Sequence, residues 1–442
     1  MTVIAFIIGI ILMVVGLAVS IALHELGHLT PAKLFGVRVG QYMIGFGPTL
    51  WSRRRGETEY GVKAIPLGGY ISMAGMYPPS PKGTGDGRAG GGFFATMVQD
   101  ARATNDETIA DGDDDRVFYK LPVYKRVIIM LGGPIMNLLL AIVLFAIVFS
   151  GFGVATATTT VSSVSRCVIP ASANRTTCQA SDPAAPAAQA GIKAGDTIES
   201  IDGTPITTFD QASRIIQRSP DRELTFVVDR AGQHVTLEVT PMLAQRQVVD
   251  AQGVAQRNAD GSAKTENVGF VGIAPTSAIQ RQPLSAGPQA AFQNVSQVAG
   301  LIWQMPVKVY DTAATVFTGG QRSADSPMSI VGAGVLAGEV ASADVPVSNR
   351  IAGFLSLLAS LNIALFVFNL VPLLPLDGGH VVVALWDGVK RAWARLFRRP
   401  PPKPVDATRL VPVTFVVVVL LVVMGGVLIL ADLVNPVSLL NP

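Results

Sequence analysis

The sequence predicts a polytopic α-helical membrane protein: four transmembrane helices, a small membrane-associated β-hairpin region and an inserted extracytoplasmic α+β domain. Three observations carry that reading. Four apolar runs each reach the roughly 20 residues that a bilayer-crossing helix needs. Of the 442 residues 49% are hydrophobic and only 15% charged, well below the roughly 25% charged of a typical soluble domain. Between the second and third runs lies a long interval in which short strand patterns alternate with Gly- and Pro-containing turns. The net charge of +3 is too small to point to a nucleic-acid partner.

Residues 1–30 make the first helix. No charged side chain occurs from Thr2 to Leu23, no basic segment precedes the run and no small-residue cleavage site follows it. A retained helix is therefore expected, not a cleaved signal, with Pro31 and Gly36 marking its end. In 31–77, Val37, Val39, Tyr42 and Ile44 alternate and a second extended run covers 59–65. Gly45-Phe46-Gly47-Pro48 and Pro66-Leu67-Gly68-Gly69-Tyr70 supply the turns. An ordinary surface hairpin and a sheet edge that holds an extended peptide both fit this pattern. Residues 78–116 are rich in Pro and Gly, then acidic, with too little apolar surface for a core. A flexible insert is expected, with one amphipathic turn around Phe93, Phe94 and Met97. The second helix, 117–152, contains Gly132-Gly133-Pro134-Ile135-Met136-Asn137. Its small residues permit close helix approach, and Asn137 reads as an interhelical packing hydrogen bond rather than a catalyst.

Residues 153–275 form the inserted domain, with a core at about 184–241. A helix is expected at 209–218 and strands at 223–230 and 234–239. That order, with Ala190-Gly191-Ile192-Lys193-Ala194-Gly195-Asp196-Thr197-Ile198 ahead of it, resembles a bacterial PDZ domain, which binds peptide by adding a strand to its sheet edge. Cys167 and Cys178 are the two cysteines of the chain and can close a short disulfide loop if the domain faces an oxidising compartment. Residues 276–350 read as an extracytoplasmic amphipathic linker, 351–380 as the third helix, 381–410 as a basic cytoplasmic loop and 411–434 as the fourth helix. Lys390, Arg391, Arg395, Arg398, Arg399, Lys403 and Arg409 crowd the short connection between the last two helices. Arg53 to Arg55, Lys120, Lys125 and Arg126 lie between the first two. The positive-inside rule then makes both connections cytoplasmic, with the inserted domain and both termini outside.

The chemistry is concentrated at His24-Glu25-Leu26-Gly27-His28. Residues four apart share a helix face, so two imidazoles can meet one metal ion, with Glu25 beside them to move a proton. Two histidines and a glutamate at the end of an apolar helix are costly there unless they work. A third ligand is wanted near Asn369-Leu370-Val371-Pro372-Leu373-Leu374-Pro375-Leu376-Asp377-Gly378-Gly379-His380. There two prolines break the helix, and irregular backbone at membrane depth implies a cavity. Asp377 offers an oxygen, and His380 is its rival.

Together the two motifs, the Gly68-Gly69 segment, the Gly-Gly-Pro-x-x-Asn run and the PDZ-like order make the chain resemble, over nearly its whole length, the site-2 proteases, closest to actinobacterial members. The long 78–116 insert departs from that family. The resemblance implies an intramembrane zinc endopeptidase with one Zn2+ per chain held by His24, His28 and Asp377. Glu25 is then the catalytic glutamate, and Asn369 holds substrate backbone or the developing oxyanion. Gly68 and Gly69 belong to a hairpin that presents its edge to substrate. It also implies a single-pass membrane protein substrate, such as an anti-sigma factor, already trimmed by an upstream site-1-type protease, in a bacterial plasma membrane. The catalytic centre then lies toward the cytoplasm. Two other classes compete: a zinc transporter or sensor that does not hydrolyse, and a PDZ scaffold. The inserted domain either captures a trimmed carboxyl terminus or excludes bulky substrates, and its place in the chain order favours exclusion.

Overall fold

The structure, a computed structural model, describes residues 2–78, 93–109, 115–169, 177–247, 264–318, 322, 326–400, 402–405 and 407–436. The chain forms two compact units, residues 1–152 with 282–442, and residues 153–281.

In the first unit α1 (Thr2–Leu34) continues through Pro31, beyond the end expected near residue 30. Proline removes one helical N–H, whose acceptor would be the Gly27 carbonyl. That carbonyl instead lies against Gly132 of a neighbouring helix. After α1, β1 (Val39–Arg55) and β2 (Thr58–Met73) pair antiparallel with breaks in register. Gln41 to Ile44 face Glu59 to Val62 and also Gly69 to Ser72, while Trp51 to Arg55 face Thr58 to Val62. One ribbon therefore serves as several short strands. Val37, Val39 and Met73 bury against Leu29, Ala32, Ile129 and Met130.

Phe93–Glu107 is a 15-residue helix, α2, where one turn of a flexible insert was expected. Its anchor is Asn105, whose side chain accepts the Tyr77 N–H and donates to the Tyr77 carbonyl, each at 3.0 Å. Composition does not reveal a contact of that kind. Residues 79–92 and 110–114 of the insert lie outside the described residues. Helix α3 (Val123–Ala146) follows and ends in a π-helical turn, Ile147–Phe152.

The second unit contains β3 (Val154–Val164), α4 (Pro186–Gln189), β4 (Thr197–Ile201), β5 (Thr204–Pro205) and α5 (Phe209–Gln217). It continues with β6 (Leu224–Arg230), β7 (Gln233–Val239), β8 (Met242–Gln247), β9 (Thr265–Phe270) and β10 (Ile273–Gln280). The main sheet runs β10-β3-β4-β6-β7, with β5 on β4, and β8 pairs with β9. Leu224, Phe226 and Val228 alternate inward, as a half-buried strand requires, onto Ile198, Ile201, Ala212 and Ile216. Thr208 caps α5 reciprocally with Gln211. Asp196, 1% exposed, accepts Arg230 Nε and Nη2 at 2.8 Å each. This fork of bonds holds its carboxyl below the usual carboxylate range. Cys167 and Cys178 are bonded to each other. Because β10 pairs with β3, the unit extends past the expected boundary at 275. Val154 faces Gln280, so the two ends of the unit lie side by side.

The first unit resumes with α6 (Ala286–Thr318), α7 (Ile330–Ser342), α8 (Val347–Asn369), α9 (Asp377–Leu396) and α10 (Val411–Val434). Helices α6 and α7 and the start of α8, expected as parts of an outside linker, belong to this helical unit. Gly332, Ala333, Gly334, Ala337 and Gly338 of α7 are buried, and Gly9 of α1 abuts the Ala337 carbonyl. Asp432 of α10 accepts the Ser329 and Gly332 N–H groups and pairs with Arg322, closing this bundle with a buried charge pair. The expected third helix 351–380 is two elements: α8 ends at Asn369 and α9 begins at Asp377, because Pro372 and Pro375 interrupt the helix between them. Helix α9 also takes up the first part of the expected basic loop, and Arg126 of α3 holds it through Asp387 at 3.0 Å. Among the described residues four helices are long and apolar enough to cross a membrane: Val3–Leu34, Val123–Phe152, Val347–Asn369 and Val411–Val434.

Candidate metal centre

His24 and His28 stand one turn apart on α1, and the first residue of α9, Asp377, comes to them. The His24 and His28 Nε2 atoms are 3.1 Å apart, and each is 3.2 Å from Asp377 Oδ2. Zinc bonds of about 2.0–2.2 Å put the ligand atoms of a tetrahedron about 3.3–3.6 Å apart, so this triangle lies within a few tenths of an ångström of the size a zinc ion needs. Asp377 Oδ2 is buried, and the groups that face it are the two imidazole nitrogens. A buried carboxylate oxygen between two imidazole nitrogens suits a cation. Among the described residues these three are the one cluster of His, Cys, Asp or Glu with metal-ligand spacing.

Helix α3 orients both rings. His28 Nδ1 lies 2.7 Å from the Ile129 carbonyl, which can only accept, so Nδ1 carries the hydrogen and Nε2 keeps its lone pair. His24 Nδ1 lies 3.2 Å from the Asn137 amide. Close approach depends on glycine: an ideal Cβ on Gly133 would sit 2.2 Å from His28 Nε2, and one on Gly132 would sit 2.0 Å from the Gly27 carbonyl oxygen. On the other side, Asn362 of α8 donates to Ser20 Oγ at 2.9 Å, tying α8 to α1 one turn before His24.

Glu25 is buried, and the hairpin runs beside it. An ideal Cβ on Gly69 would lie 2.9 Å from Glu25 Cγ, so only glycine lets the strand pass there. Gly68 has φ +118° with the Phe46 ring against it, a backbone that favours glycine. Tyr42 of β1 donates to the Ala22 carbonyl at 2.7 Å. Burial and then the nearby Glu25 carboxylate push its phenol up to about 12, so it remains a donor at neutral pH.

Two further sequence candidates are not among the three clustered ligands. Asn369 closes α8, half-buried, with no hydrogen bond to His24, Glu25, His28 or Asp377. His380 stacks on Tyr77 with ring centroids 6.2 Å apart and is not among the three clustered ligands. Sequence reasoning placed Asn137 in helix packing and did not connect it to His24. The signal that was available is spacing: Ile129, Gly133 and Asn137 recur every four residues, one face of α3, and all three meet the imidazoles.

The chain matches the model of Peptidase family M50 over residues 12–399. It is 33% identical to zinc metalloprotease Rip1 of Mycobacterium bovis (strain BCG / Pasteur 1173P2), over 98% of this chain and 99% of the relative. Identity to zinc metalloprotease Rip1 of Mycolicibacterium smegmatis is 34%, over 98% of each. Metalloprotease MmpA of Caulobacter vibrioides is 31% identical over 88% of each.

Proposed function

The chain belongs to peptidase family M50 and is a zinc metalloendopeptidase of the site-2 protease type in a membrane, and we propose that His24, His28 and Asp377 hold its zinc while Glu25 moves the proton. The observation that carries this reading is the convergence of two Nε2 atoms and one carboxylate oxygen, 3.1 to 3.2 Å apart, beside a buried glutamate. When bound, zinc supplies Lewis acidity, polarising the scissile carbonyl and acidifying water. Glu25 takes a proton from the attacking water and returns it to the leaving amine. Gly69 passes against Glu25, so a peptide laid along this segment reaches the carboxylate. Pairing with the strand would also satisfy backbone groups freed when a membrane helix unwinds. Asn369, at the end of α8, is assigned to holding the substrate backbone or oxyanion.

The substrate is a single-pass membrane protein of the anti-sigma type, first trimmed by a site-1-type protease. The basic connections face the cytoplasm and the second unit faces outward. The Cys167–Cys178 bond supports that sidedness, because disulfides persist in oxidising compartments. The test is to incubate wild type and Glu25→Gln with a panel of single-pass membrane proteins. The variant should cut none while holding about one zinc per chain; comparable turnover by the variant would sink the assignment.

A second role for residues 153–281 is supported by a cavity of about 240 Å³ between α5 and the β8–β10 region, lined by Phe209, Ser213, Ile216, Arg246 and Phe270. The Arg246 guanidinium lies 3.6 Å over the Phe270 ring. A cation in an apolar groove suits a peptide carboxylate, which favours a PDZ-like capture role over the exclusion expected from chain order. Since the unit's ends are adjacent, it can be excised by joining Phe152 to Gln282 through a short linker. Exclusion expects the shortened protein to cut untrimmed substrates, whereas capture expects it to lose efficiency on trimmed ones.

A further inference from the structure

We propose that Asn137 is a positioning residue for the metal: its side-chain oxygen accepts from His24 Nδ1 and fixes that ring with Nε2 toward the zinc. The proposal rests on the reading of His24 as a ligand through Nε2.

The two imidazoles are held by different groups. A backbone carbonyl faces His28 Nδ1 and admits one protonation pattern. An amide faces His24 Nδ1 at 3.2 Å, and an amide can present either its NH2 or its oxygen. The choice is made at the far side of the ring. His24 Nε2 points at His28 Nε2 and Asp377 Oδ2, 3.1 and 3.2 Å away. A nitrogen that binds a metal keeps its lone pair, so Nδ1 must carry the hydrogen. The atom of Asn137 opposite Nδ1 is then Oδ1. The structure sets Asn137 Nδ2 against Nδ1 and leaves Oδ1 buried without a partner; a half-turn of the amide, which exchanges two atoms of nearly equal size, brings that oxygen to Nδ1.

The surroundings explain why the residue is asparagine. Asn137 is 1% exposed, and a carboxylate there would add a second buried anion beside Asp377, which costs more than a neutral acceptor. The position is also dictated by α3. Gly133, one turn earlier, brings the helix backbone against the His28 ring, and the next residue on that face meets His24. One helix face thus serves both rings, through a carbonyl for one and an amide oxygen for the other.

The experiment uses the full-length protein in detergent. Asn137→Leu removes the acceptor while keeping a branched side chain of four heavy atoms, and Asn137→Asp keeps an acceptor but no donor. Zinc affinity is read by chelator competition, and the His24 tautomer by 15N spectra of histidine-labelled protein, in which four histidines are assigned by substitution. Asn137→Leu should weaken zinc binding about 10- to 100-fold, and Asn137→Asp should stay within about threefold of wild type or bind more tightly. Zinc-loaded wild type should show His24 protonated at Nδ1. Unchanged affinity in Asn137→Leu overturns the proposal. So does Asn137→Asp binding as weakly as Asn137→Leu, because the amide would then be acting as donor or simply packing. If Asn137→Leu does not fold, Asn137→Ala takes its place, and wild-type zinc affinity in that variant overturns the proposal. Asp377→Asn is run alongside. Wild-type zinc affinity in that variant would mean that the ligand set is wrong, a different failure from that of Asn137.

Discussion

Gly132→Ala should disable the enzyme from outside the ligand set. Where α1 crosses α3 the backbones touch: an ideal Cβ on Gly132 would lie 2.0 Å from the Gly27 carbonyl oxygen, and one on Gly27 would lie 2.3 Å from that of Gly132. Ordinary heavy-atom contact is about 3.5 Å, so one methyl must drive the helices apart by roughly 1 to 1.5 Å. Backbone meets backbone, so no rotamer change relieves it. Overpacking of this kind costs about 1–3 kcal/mol, yet the larger loss is functional. Helix α3 carries the Ile129 carbonyl, 2.7 Å from His28 Nδ1, and that bond would stretch beyond hydrogen-bond reach. A misplacement near 1 Å costs on the order of 100-fold in rate. Initial rates on a single-pass substrate in proteoliposomes should fall by about that factor, with zinc affinity at least about tenfold weaker by chelator competition. Gly426→Ala is the control: it sits on α10 with no atom within 4 Å of the added Cβ, and should keep full activity with stability unchanged or raised by up to about 1 kcal/mol. Gly132→Ala within twofold of wild type in both rate and zinc affinity would refute the idea that this crossing sets the imidazoles.

Asp377→Asn should lose zinc and His380→Ala should keep it, because His380 packs on Tyr77 outside the three-ligand cluster; metal analysis giving the reverse order would replace Asp377 in the ligand set. The Asp196–Arg230 pair should make the second unit acid-sensitive. The Asp196 carboxyl is held low chiefly by the Arg230 bonds. Its stabilisation is therefore complete above about pH 4, the unfolded carboxylate range, and disappears as pH falls through the lower folded value. Protection of the Phe226 and Val228 amides, taken relative to intrinsic exchange at each pH, should fall from pH 4 to 3 in wild type, and less so in Asp196→Asn, which starts weaker by about 1.5–3 kcal/mol; equal pH responses would contradict the linkage. Removing both cysteines should lower the stability of the second unit by at most about 3 kcal/mol, since the closed loop is short, while intact mass without reductant should show no free thiol; two alkylated thiols would count against the bridge.

Much of this protein was legible from the chain alone, and the legible parts share one property: they are local. Four apolar runs predict the spans, because length and composition set that match. The four-residue spacing of His24 and His28 predicts two imidazoles on one face. Thr208 and Gln211 mark the start of α5, and alternation at Leu224, Phe226 and Val228 marks a half-buried strand. What the tertiary structure decided is which distant groups meet. The run Ile330–Ser342 is too short to span a membrane and reads as linker; it becomes a buried helix because Gly9 and Asp432 press upon its small residues. Phe93–Glu107 becomes a helix held to Tyr77 through its own Asn105. Asn137 reads as packing until α3 is seen to cross α1 at Gly27, which carries its amide to His24. Periodicity specifies the face a residue occupies on its own element. The approach of two backbones, set here by glycines that leave no room for a Cβ, specifies what that face will touch.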